Sequence, residues 1–507
     1  PDGGGRRTGG EQRVSLLDHL PILVVIIPLM TAPLCVLVDR PGAAWGIALA
    51  AAWLSFGAAI ALALTVATSG TLTYQLGGWP PPWGIEYRID TLASYVLLIV
   101  TAMAALVMLF AKQSVPREIP EHNIARFYAC LMLAFAGLAG IVATGDAFNV
   151  FVFLEISSLA SYALISMGRD RRALNAAFQY LVMGTIGATF ILIGIGFLYM
   201  MTGTLNMLDL AARLPEVSDT RTVRAGFAFL TVGIGLKLAM FPLHLWLPNA
   251  YAYAPSAVTA FLAATATKVA VYVMLRFMLD VFGADFSLGD MPLNLILMAL
   301  GLVGIIMASL VAVFQDDVKR MFAYSSVAQI GYMLLGIGLA SATGVGAAIL
   351  HIFNHALMKG ALFLALGAVA YRIGAVTLGD FAGLGKRMPW TMAAIAIGGL
   401  SLIGVPPTAG FVSKWYLVLG TLESGLWPIA VVVLAGSLLA LMYVWKLVEA
   451  AYFGQAADDA PVIREAPASM LIPIWLLVAA NFYFGINTDV SVGIAQRATA
   501  MLLGGGG

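Results

Sequence analysis

The sequence predicts an all-α polytopic membrane protein of about fourteen transmembrane helices, two of them broken. Three observations carry this. Of 507 residues, 61% are hydrophobic, and the mean hydropathy is +0.94. Only 10% are charged, against about 25% in soluble domains, which need charge to cover their surface. The apolar residues also fall into separate runs of about 20, the length that crosses a bilayer core. In lipid every backbone polar group must be paired within its own segment, so such runs are helices.

In chain order, residues 1–18 are polar and Gly-rich, with Arg6, Arg7 and Arg13, and read as a flexible tail. No small-residue cleavage site stands out, so the first apolar run is read as a retained span and not a signal peptide. Residues 19–123 hold spans 20–38, 44–67 and 90–111. The loop 68–89, containing TLTYQLGGWPPPWGIEYRI, alternates and carries Pro and Gly, which predicts a small hairpin at the membrane surface. Residues 124–280 hold spans 124–143, 146–167, 176–201, 224–250 and 256–279. Residues 281–455 hold spans 292–314, 321–341, 344–371, 391–420 and 425–453. Residues 456–507 contain a last span, 469–487, and a tail ending in four glycines.

Composition excludes several classes. A net charge of +1 speaks against a nucleic-acid partner. Cys35 and Cys130 lie far apart in apolar runs, with no CxxC, so no thiolate zinc site, iron–sulfur cluster or disulfide is expected. No GxxxxGK[ST] is present, so energy does not come from ATP bound here. No cofactor or metal is expected. The side opposite the N-terminus collects 14 basic residues, Lys319 among them, and the N-terminal side 9, Arg276 among them. The positive-inside rule puts the first side in the cytoplasm and both termini outside.

The remaining basic residues are four lysines inside spans: Lys237, Lys268, Lys359 and Lys414. Glu155, His244, His351 and His355 also fall within spans. A charge at mid-bilayer costs at least about 2.5–3.5 kcal/mol, so such groups face the interior, find partners and mark ion or proton paths. A lone lysine would fit a structural pin equally well; eight ionisable groups do not. A desolvated lysine gives up its proton more readily, a nearby carboxylate restores its hold, and histidine titrates near neutrality. His351, His355 and Lys359 are spaced i, i+4, i+8, along one helix face at steps of about 6 Å. Two histidines at i, i+4 could also hold a metal, but no third ligand is evident. Asp146, at a span start, reads first as a helix N-cap.

Two spans carry breaks. GLKLAMFPLHLWLPNAY sets Pro242 and Pro248 just after Lys237, and GGLSLIGVPPTAGFVSKW sets Pro406, Pro407 and Gly410 before Lys414. Proline removes a backbone donor, and irregular backbone at membrane depth is tolerated only around a cavity or inside protein. The breaks lie five spans apart, at spans 7 and 12. This predicts two inverted five-helix repeats, spans 4–8 and 9–13, with an ion path between them.

The stretches ATGDAFNVFVFLEISSLASYALI, GLKLAMFPLHLWLPNAYAYAPSAVTAFLAATATKVAVY, DDVKRMFAYSSVAQIGYM, HIFNHALMKGALF and GVPPTAGFVSKW are spread over roughly residues 90–450. Through them the chain resembles the antiporter-like subunits shared by Mrp-type cation/proton antiporters, membrane-bound hydrogenases and respiratory complex I. Within that superfamily the opening DHLPILVVIIPLMTAPL looks most like the D-type subunit of Mrp antiporters.

The resemblance implies a proton path. It runs through Glu155 paired with Lys237, then Lys268, the region of His351, His355 and Lys359, and finally Lys414. His244 takes a supporting position beside it. It further implies a transporter subunit and not an enzyme, working with other membrane subunits in the bilayer of a prokaryotic plasma membrane and exchanging H+ for Na+. The alternative is the proton-pumping arm of a redox-driven complex, whose electrons a partner would carry.

Overall fold

The computed structural model describes residues 16–374, 376–455 and 463–504. The predicted tail lies almost wholly outside the described residues; from Leu16 to His19 the chain already forms one helical turn. The helices follow in order. They are α1 (Leu20–Val38), α2 (Pro41–Ser69), α3 (Thr91–Glu118), α4 (Ile124–Ala143), α5 (Ala147–Ser166), α6 (Arg172–Thr202) and a short α7 (Met207–Arg213). Next come α8 (Arg221–Lys237), α9 (Trp246–Tyr253), α10 (Ser256–Leu275), α11 (Leu293–Val313), α12 (Val318–Gly338) and α13 (Ala342–Ile373). The last are α14 (Leu384–Arg387), α15 (Pro389–Ile403), α16 (Ala409–Glu423), α17 (Trp427–Phe453), α18 (Ala468–Ile486) and α19 (Asp489–Leu502).

Side-chain caps set several starts. Asp90 accepts from the Ala93 N–H at 2.9 Å to open α3, and Asp317 from the Arg320 N–H at 2.8 Å to open α12. Asp146 accepts from the Asn149 N–H at 2.7 Å to open α5, the capping role its position suggested. The expected hairpin is present: β1 (Leu72–Gln75) pairs antiparallel with β2 (Glu86–Ile89).

Among the described residues, twelve helices are long and apolar enough to cross a membrane without interruption. The expected fourteen included two broken spans, which these twelve do not count. Both are split in two, α8 with α9 and α15 with α16. The interruptions hold Pro242 and the pair Pro406–Pro407, where missing N–H groups end the helical ladder. One correction concerns the C-terminus. Beyond the last predicted span the chain forms a further helix, α19, packed against α13 and α3.

The core is α13, 32 residues long and almost wholly buried. It packs against α3, α10, α12, α15, α16 and α18. Outer helices α2, α6 and α17 present exposed Leu, Phe, Trp and Met side chains, as a lipid-facing or subunit-facing surface does. The split helices reach the centre as well: α15 and α16 pack on α13, and α9 packs on α12 beside it.

Candidate functional site

The central helix and the two split spans carry six of the eight singled-out ionisable residues; α5 carries Glu155 and α10 carries Lys268. Lys237 is the last residue of α8, at the first break, and is 8% exposed. Its Nζ lies 3.5 Å from Oε1 of Glu155 on α5 and donates to Ser158 Oγ at 2.9 Å. The Glu155 side chain is 25% exposed, so this pair sits at the edge of the molecule. Beside it a cavity of about 40 Å³ is lined by Ser157, Ser158, Tyr180 and Lys237 and by Ala266, Val269 and Ala270 of α10. That is room for water among polar groups, against the helix that carries Lys268.

Lys268 and Lys359 are fully buried and have no carboxylate partner among the described residues. Lys268 donates to the Ala263 carbonyl and to Thr267 Oγ. Lys359 donates to the Phe322 carbonyl at 2.8 Å and to Ser325 on α12. His355 lies one turn before Lys359 on α13; it is fully buried, and neither ring nitrogen has a hydrogen-bond partner. Its ring stacks on His351, centroids 5.8 Å apart and planes 5° from parallel.

His351 is held at both nitrogens. Nδ1 meets Ser413 Oγ at 2.7 Å and Nε2 meets Gln329 Oε1 at 2.9 Å. A neutral ring would donate from Nε2 to the Gln329 amide oxygen and accept the Ser413 proton at Nδ1. With both nitrogens engaged, His351 has no free lone pair for a metal. The residue pattern showed neither Gln329 nor Ser413 as a partner. Gln329→Leu is expected to leave a buried N–H unpaired, costing about 1–3 kcal/mol. A lowered denaturation midpoint of the assembled protein would register it.

Lys414 sits on α16 just past the second break. Its ammonium donates to the Leu402 carbonyl at 3.0 Å, the Ile403 carbonyl at 2.9 Å and Ser437 Oγ at 2.9 Å. The two carbonyls end α15 and lack intrahelical donors because the helix stops there. A cation at a helix C-terminus is favoured by the helix dipole. The break thus makes the pocket that holds the lysine. Lys414 Nζ also lies 4.6 Å over the ring of Tyr332.

His244 lies within the first break, where it stacks on Phe241 at 5.1 Å and meets Tyr324 edge-on at 6.2 Å. Two basic residues counted by sequence on the two sides of the membrane are in fact buried. Lys319 donates to Ser256 Oγ at 3.3 Å. Arg276 pairs with Asp90 and with Asp280, the latter 3.1 Å away. Burial alone would raise the pKa of Asp90, just outside α3, but the Arg276 charge and hydrogen bond hold it below the usual carboxylate value. Both residues stand at helix ends; Asp280 is one turn from Arg276, but Ser256 and Asp90 lie too far along the chain from their partners for local pattern to reveal.

Three comparisons with known proteins identify the family. Residues 144–440 match the family model described as NADH:quinone oxidoreductase/Mrp antiporter, TM. A chain of Desulforudis audaxviator named as the N-type subunit of NADH-quinone oxidoreductase is 44% identical over 95% of this chain and 98% of its own length. The D-type subunit of the Na(+)/H(+) antiporter of Alkalihalophilus pseudofirmus is 33% identical over 85% of this chain and 86% of its own. Among solved structures, a chain of the Mrp complex from Dietzia superposes with a TM-score of 0.87 at 26% identity, covering 96% of this chain and 98% of that one. A chain of the archaeal membrane-bound sulfane sulfur reductase reaches 0.89 at 30% identity, with the same coverage of both chains. The chain belongs to the NADH:quinone oxidoreductase/Mrp antiporter family, as a multi-pass, antiporter-like membrane subunit.

Proposed function

We propose that this chain moves protons along the row Glu155, Lys237, Lys268, His355, His351, Lys359 and Lys414. In this reading it is the proton-translocating subunit of a multisubunit Na+/H+ antiporter in a prokaryotic plasma membrane, with both termini outside. Support for the path comes chiefly from the Glu155–Lys237 pair at the end of a broken helix. A 3.5 Å ion pair can tighten or open, and either change shifts how firmly the lysine holds its proton. A proton released from Lys237 passes by way of the adjoining cavity toward Lys268, then along the stacked histidines of α13 to Lys414. His244 supports the first break from the side of Tyr324. The matched positions of the two breaks support treating residues 124–280 and 281–455 as inverted repeats, with 19–123 and 456–507 packed around them. The partly exposed edge at Glu155 offers a neighbouring membrane protein a place to act on the pair.

A second reading is favoured by the 44% identical relative, which is named as part of an NADH-quinone oxidoreductase. There the driving force would come from electrons on a partner. The test uses inverted vesicles carrying the whole complex. A proton gradient is imposed without NADH, quinone or ferredoxin, and sodium is then added. Collapse of the gradient is expected for the antiporter. No response until a redox substrate is supplied would transfer the chain to the second reading.

A further inference from the structure

A second polar stripe leaves the row at Lys268. Tyr272, Arg276 and Asp280 follow it at intervals of four residues, on the same face of α10 and its π-helical continuation Arg276–Val281. Tyr272 and Asp280 are both bonded to Arg276, whereas Lys268, bonded to Ala263 and Thr267, neighbours Tyr272 by helix position alone. Arg276 Nε donates to the Tyr272 hydroxyl at 3.0 Å, and that hydroxyl donates to the Val142 carbonyl at 2.9 Å. The guanidinium also pairs with Asp90 and Asp280. Asp280 lies 3.8 Å from Arg88 of the hairpin, and these two side chains are 25% and 22% exposed. Arg276 and Asp90 are only 5% and 1% exposed. The bonded stripe therefore runs from Tyr272, one turn beyond Lys268, to the partly exposed hairpin face, and a buried ion pair stands across it.

Stability does not account for that pair. An apolar filling of similar volume is often as stable as a buried ion pair. Asp90 keeps one oxygen, Oδ2, buried without a partner. Arg276, by contrast, already holds a second acid on its outer side. The guanidinium can therefore let go of Asp90 and swing to Asp280 without losing all its counter-charge. While it stays, it fills the stripe with a fixed positive charge, which a proton cannot displace because arginine does not give up its own.

We infer that Tyr272 and the Arg276–Asp90 pair form a plugged side branch of the proton row, joining Lys268 to the hairpin face and closed in this state. This rests on Lys268 belonging to the row. The branch gives the chain a proton outlet of its own on the hairpin side, sealed by one movable side chain.

The experiment measures decay of an imposed pH gradient in vesicles carrying the whole complex, with sodium and redox substrates absent. Arg276→Gln is expected to speed the decay on the order of tenfold, the factor that ~1.4 kcal/mol of barrier represents. Arg276→Lys keeps the charge and stays sealed. Adding Tyr272→Phe to Arg276→Gln restores the tight state. If Arg276→Gln does not assemble, Asp90→Asn, which frees the guanidinium, is measured instead and should leak alike. An assembled variant as tight as the parent, or a leak indifferent to Tyr272→Phe, overturns the branch. Because no cation is added, failure of the sodium experiment leaves this result readable, and the reverse also holds.

Discussion

Lys237→Ala is expected to abolish coupled proton transport while the complex still assembles. The substitution leaves Glu155 and Ser158 without their donor. Breaking a fully buried pair costs about 3–5 kcal/mol, but Glu155 is one-quarter exposed and water can take up part of that loss. Glu155→Ala should have the same effect on transport from the other side of the pair. Lys237→Arg is the sharper variant: it keeps the positive charge and the partner, yet a guanidinium does not release a proton at working pH. If charge alone matters, Lys237→Arg transports; if proton release matters, it is as inactive as Lys237→Ala. Intact transport by assembled Lys237→Ala would sink the assignment of the pair.

Gly410→Ala should have the largest effect on folding. Gly410 closes the second break, its N–H donating to Ser401 Oγ at 3.2 Å. A Cβ placed there would lie 1.9 Å from the Ser401 carbonyl oxygen and 2.9 Å from Met358 Cε. The first of these contacts is backbone, so a rotamer change cannot relieve it. Overpacking a core typically costs about 1–3 kcal/mol, and a clash between two backbone segments falls at or above the top of that range. The expected outcome is a sharp loss of assembled complex on native gels. Gly42→Ala, with nothing within 4 Å of the added carbon, serves as the comparison and should assemble normally.

Much of this architecture is written in local pattern. Runs of apolar residues give the helices, prolines beside lysines give the two breaks, and alternation with glycines gives the hairpin. The lysines in spans were visible because a charge in an apolar run has no local excuse. What local pattern could not give was distance along the chain. Arg276 counts among the membrane-side basic residues because it stands near the end of span 256–279, and the acid that buries it, Asp90, lies 186 residues away. Gln329 and Ser413 are ordinary helix residues until the fold sets them on either side of His351. The two broken spans are legible because proline ends the helical ladder even where hydropathy continues across it.

The four lysines of the row share one carboxylate among the described residues, that of Glu155. The other three ammonium groups are held by carbonyl and hydroxyl dipoles, which carry no net charge. Like charges in a low-dielectric interior repel strongly, so the row cannot be filled like a set of independent cups. On the proposed path, each proton that arrives would raise the cost of keeping those already present, and departure at one end would be driven by arrival at the other. Such a path would behave as a queue of limited length, its throughput governed by crowding, and a mutation at any one place would be felt as a change in occupancy at all the rest.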